Sequence, residues 1–209
     1  SKRVQDQFAR VLVQGSKYAD RDALGTPEAI RAIDAQKLRE FYHKWYRSDL
    51  TAVVIVGDFD VKQMEHRVKK ILSKIPAVKN PVPRPVVEIP GHKEMYYCLA
   101  TDPGMTNTTL NVITMVPELA PEVKNTYAFL KEEILIRSFN AMMGKRFARL
   151  LAQPDCPLAQ GGISFVPFKR GYYTYQLGGI PKPGQDEQAM RALLTENERV
   201  KCHGFTAGE

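Results

Sequence analysis

The chain has 209 residues, 44% of them apolar and 25% charged, long enough to bury a core and ordinary for a globular protein. Basic residues outnumber acidic ones by 30 to 23, a net charge of +7, yet no run of five basic residues occurs and no binding motif accompanies the charge, which argues against a nucleic-acid-binding module. No stretch of about 18 apolar residues is present to form a membrane-spanning helix, and the polar start Ser1-Lys-Arg-Val-Gln-Asp-Gln has no apolar signal region and no Met, as in a piece of a longer protein.

In chain order, residues 4–14 predict a helix with Phe8, Val11 and Leu12 on one face and Gly15 as its stop. Thr26-Pro27-Glu28 reads as a helix start, because a Thr cap is followed by a proline whose missing N–H costs nothing there. Asp34 caps the next predicted helix, residues 35–46, where Leu38, Phe41, Tyr42, Trp45 and Tyr46 recur at spacings of three and four. Residues 52–56, a continuous apolar run ended by Gly57, predict a strand covered on both faces. Asp60 with Gln63 forms a capping-box pattern opening a helix that buries Val61, Met64, Val68, Ile71, Leu72 and Ile75.

Residues 76–90 carry five prolines in 15 residues, which remove backbone donors and fix φ, so residues 76–91 are expected to run extended as a linker. Beyond it, residues 93–101 and 108–116 read as strands joined by a turn at Asp102-Pro103-Gly104. A long helix is predicted for residues 121–152, with Tyr127, Leu130, Ile134, Phe139, Met143, Phe147 and Leu150 near helical spacing. Residues 162–168 and 172–180 predict an antiparallel pair around Lys169-Arg170-Gly171, and residues 185–201 a last helix. The expected fold class is α+β, an antiparallel-rich sheet with helices packed on one face.

Catalytic chemistry is hard to place on these elements. A helical zinc site of the usual peptidase kind needs two histidines three or four residues apart. His43, His66, His92 and His203 never meet that spacing. The nearest approach, Lys62-Gln63-Met64-Glu65-His66, puts a cationic lysine where the first ligand should be. Ser138 and Ser164 lie in no nucleophile elbow, and Cys98, Cys156 and Cys202 form no C-x-x-C pair and are expected as buried free thiols, one disulfide being the alternative. Glu132-Glu133 reads as a helix face rather than an acid–base dyad, and the basic cluster Arg67, Lys69 and Lys70 as a solvated one. Gly161-Gly162 and Gly178-Gly179 read as turns or close backbone approach within a sheet, the sharper alternative being an edge strand to which a peptide adds.

Several segments taken together resemble one enzyme family. They run from Gly15-Ser-Lys-Tyr18-Ala-Asp-Arg21 through Gly25-Thr26-Pro-Glu-Ala-Ile30, Leu38-Arg-Glu-Phe-Tyr42 and Trp45-Tyr46-Arg-Ser-Asp49 to Ala52-Val-Val-Ile-Val-Gly57-Asp58-Phe-Asp60. In the second half they comprise Met142-Met143, Arg146-Phe147, Leu150, Ala192-Leu-Leu-Thr195-Glu196, Glu198-Arg199 and His203-Gly204-Phe205-Thr206. The order and spacing resemble the M16 (insulinase/pitrilysin) zinc metallopeptidases, in their PqqL-like bacterial subgroup. One local departure is Asp22-Ala23-Leu24-Gly25, which stands where a Pro-Ile-Gly-like turn is expected.

The resemblance implies an M16 (LuxS/MPP-like) α+β fold in which paired domains enclose a short or unfolded peptide. It also implies zinc in the parent protein, held by an inverted H-x-x-E-H motif and a downstream Glu, with the motif's Glu activating a zinc-bound water. No position here matches that motif or the family's substrate-binding Arg/Tyr pair. No catalytic, cofactor-binding or metal-binding residue is therefore expected in this chain, and the zinc site is expected upstream of Ser1. Residues 1–75 are expected to be the end of the catalytic domain, 76–91 the linker, and 92–209 most of the following non-catalytic domain, truncated. The expected partners are a peptide or unfolded polypeptide substrate and the missing catalytic domain. The resemblance favours an exported, periplasmic location over a cytoplasmic one. The alternative reading is a peptidase-derived assembly subunit with no proteolytic role.

Overall fold

A computed structural model describes residues 2–21 and 24–209; the Asp22-Ala23 part of the departing turn lies outside the described residues, as does Ser1. The chain divides into two compact units, one holding Thr101–Glu209 with the first residues to Val4, the other Gln5–Ala100. Helix α1 spans Lys2–Leu12, α2 Pro27–Ala32, α3 Ala35–Trp45 and α4 Val61–Leu72. The starts of α2, α3 and α4 are set by side chains that accept from otherwise orphaned amides. Thr26 Oγ1 accepts from Ala29 N at 3.1 Å, Asp34 Oδ1 from Lys37 N at 2.8 Å, and Asp60 Oδ1 from Gln63 N at 2.8 Å.

Within Gln5–Ala100 the expected burial is not realised. Residues 52–56 belong to no strand, and Val54 and Val56 stay 83% and 91% exposed. On α4 only Met64, Val68 and Leu72 are half-buried, while Val61, Ile71 and Ile75 face water. The aromatic face of α3 is likewise open at Phe41, Tyr42 and Tyr46, where Tyr42 and Tyr46 stack on each other at 4.9 Å. Residues 93–101, expected as a strand, form none. The turn after them does form, with Met105 N donating to Asp102 O at 2.9 Å and Gly104 N to Asp102 Oδ1 at 2.8 Å. The physical reason is common to these cases. A strand exists only where another strand takes up its N–H and C=O groups, and none is present among the described residues of this unit.

The unit Thr101–Glu209 does close a core. Strands β1 (Leu110–Pro117), β2 (Leu158–Lys169) and β3 (Tyr172–Pro181) form an antiparallel sheet in the order β1-β3-β2. Helix α5 (Tyr127–Leu151) joins β1 to β2, and α6 (Asp186–His203) follows β3. Gly171, at φ +86°, makes the turn between β2 and β3, and Glu118 secures it by accepting from Gly171 N at 3.2 Å and donating its own N–H to Gly171 O at 2.8 Å. Met143 and Phe147 of α5, Ile163 of β2, Leu177 of β3, and Ala189 and Leu193 of α6 meet in one buried cluster with Cys156 and Leu158. Both helices thus cover the sheet face that carries Ile163 and Leu177, the predicted architecture. Each large side chain so buried contributes about 1.5–3 kcal/mol. The apolar stripe read along α5 is buried only in its second half, for Tyr127, Leu130 and Ile134 remain exposed. Of the thiols, all three are free, but only Cys156 is buried; Cys98 and Cys202 are exposed, against the expectation of burial.

Candidate peptide groove

β2 lies at the outside of the three-stranded sheet, and its outer edge can be read from the hydrogen bonds of one side chain. Asn140 of α5 donates from Nδ2 to Phe165 O at 2.8 Å and accepts at Oδ1 from Phe165 N at 2.8 Å. Phe165 therefore turns its backbone pair away from β3 and toward α5. In an antiparallel ladder this orientation repeats at every second residue. The register runs unbroken from Gln160↔Ile180 to Val166↔Thr174, so Ile163 and Gly161 present their N–H and C=O groups along the same edge. Among the described residues no other side chain or loop bonds to that edge at these two positions.

A groove of about 510 Å³ runs along this edge, lined by Asn140, Met143, Gly144 and Phe147 of α5 and by Gly162 and Gln176 of the sheet. No charged residue lines it. The paired glycines shape the strands beside it. Gly161 faces Gly179 and Gly162 faces Gly178 across the β2–β3 ladder. A Cβ on Gly179 would stand 2.7 Å from Leu158 Cδ2 and 2.9 Å from Gln160 O, and one on Gly161 3.2 Å from Leu158 Cδ1. Leu158 fills the space those two glycines leave, so close approach within the sheet accounts for them. A larger hollow of about 620 Å³ follows the outer side of α6 past Met190, Leu194, Cys202 and His203. The charges that line it are paired along the helix, Arg191 with Glu187 at 3.2 Å, Arg199 with Glu196 at 2.5 Å, and Glu198 with Lys201 at 3.3 Å. That hollow is a solvated helix face, whereas the groove beside β2 exposes backbone hydrogen-bonding groups.

The remaining polar residues singled out in the sequence serve the scaffold. Glu133 accepts from Tyr173 Oη at 3.2 Å and from Arg137 Nη2 at 3.2 Å, and Glu132 neighbours it on the helix without forming a dyad with it. Burial and the Glu133 carboxylate push the Tyr173 phenol up to about 12. Arg146 holds residues 204–209 to α5. Its Nε and Nη2 donate to the two Glu209 oxygens at 2.6 and 2.9 Å, and Nη2 also donates to Gly204 O at 3.0 Å. The guanidinium draws the Glu209 carboxyl down to about 2, helped by the Thr206 N–H, which donates to it at 2.7 Å. Arg67, Lys69 and Lys70 lie exposed on α4.

Zinc, which the resemblance implies for the parent, does not fit the residues present. His43, His66, His92 and His203 are all exposed and lie on separate elements. Glu65, beside His66, is paired with Lys69 at 2.5 Å, an ion pair that lowers its carboxyl pKa. Among the described residues no three of His, Cys, Asp and Glu come together as metal ligands. Sequence reasoning reached the glycine pairs and missed Asn140 and Gly144. Asn140 and Gly144 lie four residues apart on α5, a spacing that puts them on one helix face, but the helix carries many other polar residues that hide the pair.

Comparison with known proteins places this architecture. A family model described as the Peptidase M16 inactive domain matches residues 32–209. A protein named probable zinc protease PqqL from Haemophilus influenzae is 37% identical over 86 residues, 41% of this chain and 9% of its own length. A zinc protease PQQL-like protein from Arabidopsis thaliana is 29% identical over 145 residues, 68% of this chain and 15% of its own. The solved first half of the periplasmic protease PqqL from Escherichia coli superposes with a TM-score of 0.79 at 21% identity, over 99% of this chain and 43% of that one. The chain thus spans only a fraction of these relatives. Since the family model covers well over half of it, the chain belongs to the M16 peptidase family, in the part described as its inactive domain.

Proposed function

We propose that the chain is a non-catalytic portion of a bacterial M16 zinc metalloendopeptidase and forms part of the wall that encloses an unfolded or short peptide substrate. The parent protein hydrolyses peptide bonds and holds its zinc outside this chain; the chain alone is inactive. In this reading residues 1–75 end the catalytic domain, 76–91 link, and 92–209 form most of the domain that follows. The exposed apolar run at residues 52–56 and the open face of α3 are what such a division expects, since the rest of the catalytic domain would cover them. A periplasmic location is favoured by the solved relative described as a periplasmic protease.

The observation that carries the substrate role is the outer edge of β2. Gly161 and Ile163 present backbone donors and acceptors to a groove, next to a position where Asn140 already bonds as a strand would. An extended polypeptide can add there by main-chain hydrogen bonds, which need no particular sequence. Two measurements test this. The full-length protein with zinc should cleave a flexible fluorogenic peptide and stop when the metal is chelated. The 209-residue chain, with or without zinc, should cleave nothing. Chelator-sensitive cleavage by the chain itself would overturn the assignment. Methylating alternate amide nitrogens of a bound peptide should abolish its binding to the full-length protein, and unchanged binding would remove strand addition.

A further inference from the structure

We propose that the outer face of α6 is an interface between two copies of the protein, set antiparallel about a two-fold axis. Ala189 and Leu193 turn one side of α6 into the core cluster, whereas Leu194 turns away from it and is 44% exposed. The hollow of about 620 Å³ runs along this second side and is lined by residues of α6 alone. Glu187, Arg191 and Thr195 succeed each other at steps of four, as do Leu194, Glu198 and Cys202, so the six form one stripe along the helix.

The order of charge along that stripe selects its occupant. Turned end for end about the midpoint of Leu194 and Thr195, the stripe maps Arg191 onto Glu198 and Leu194 onto Thr195, and brings Glu187 toward the end that carries Arg199. A two-fold interface has to be self-complementary in this way, since residue i meets j wherever j meets i. Antiparallel copies therefore set Arg191 of each against Glu198 of the other, two opposite-charge pairs flanking a centre of Leu194 and the Thr195 methyl. Parallel copies would set arginine on arginine and glutamate on glutamate, which is unfavourable. In the single chain these charges face water, for the Arg191 and Glu187 side chains are 77% and 83% exposed. Exposed pairs of that kind contribute little, so exchanging them for pairs across the interface costs little. A helix of 18 residues is about 27 Å long and offers less contact than a permanent dimer has. The association is therefore reversible, with a Kd of about 10–100 µM.

Sedimentation of the full-length protein between about 1 and 500 µM tests this. The expected result is a monomer–dimer equilibrium that weakens about fivefold as salt rises from about 50 to 500 mM. Leu194→Asp should abolish the dimer, and its melting curve checks that this exposed position leaves the fold intact. Arg191→Glu and Glu198→Arg should each weaken the dimer about tenfold, and the double reversal should restore it to within about threefold, because opposite charges face each other again. Within one helix the double reversal instead sets like charges beside Glu187 and Lys201, so a merely intrahelical role gives further loss in place of recovery. A monomer at every concentration would overturn the proposal and leave the α6 face to another part of the parent protein. A dimer indifferent to Leu194→Asp, or one that the double reversal fails to restore, would place the contact elsewhere and overturn it as well.

Discussion

In Thr101–Glu209 the side chains of Met143, Leu158 and Leu193 are wholly withdrawn from water, whereas in Gln5–Ala100 Val54, Val56 and Leu99 are almost wholly exposed. The two units do not differ in the strength of their local signals. Asp34 and Asp60 cap their helices at 2.8 Å, a shorter bond than the 3.4 Å between Thr126 Oγ1 and Phe129 N at the start of α5. What differs is partnership. β1, β2 and β3 satisfy one another and offer α5 and α6 a face to cover, while residues 52–56 have no ladder to join. Local chemistry starts helices in both units, but only reciprocal burial makes a core.

That contrast can be broken most forcefully at Leu193. Leu193→Ala should cost about 2–5 kcal/mol, seen as lost exchange protection of β3 amides, because a cavity opens in a packed cluster. Val54→Ala in the same chain should change stability by no more than about 0.5 kcal/mol, as an exposed position does. A large loss from Val54→Ala would show that residues 52–56 are covered after all. A middle-sized effect is expected at Asp60. Asp60→Ala removes the α4 cap, worth about 1 kcal/mol, and should speed exchange within α4 while leaving β3 protection unaltered.

The smallest effect is one of pH. Arg146 lowers the Glu209 carboxyl from 4.5 to about 2 in the folded unit. A depressed carboxylate stabilises at pH values above its unfolded pKa, and that contribution fades as pH falls from 4.5 toward 2. Stability of the wild-type chain should therefore decline over this interval more steeply than that of Glu209→Gln, measured by melting at successive pH values. Identical slopes would mean that the Arg146 clasp is not formed in solution.

Much of the folded unit was legible from residues alone, because its signals are local. The periodicity of α5 and the Lys169-Arg170-Gly171 turn each act over a few positions. The failures at residues 52–56 and 93–101 have the opposite character, since an apolar pattern states what a segment needs and not whether the chain supplies it. The groove was half legible. Paired glycines suggested close approach or an open edge, and the structure places both in one ladder. Asn140, by contrast, owes its role to Phe165, 25 residues away, and no spacing rule reaches that far.

The amide of Asn140 also sets a limit on length. By occupying Phe165 it closes one end of the β2 edge, so a chain lying there can pair at Gly161 and Ile163 and must then turn away from the sheet. Two pairing positions make a short foothold, and short footholds let go quickly. Edge-to-edge growth with a second sheet meets the same stop at Phe165, whose backbone pair is already taken.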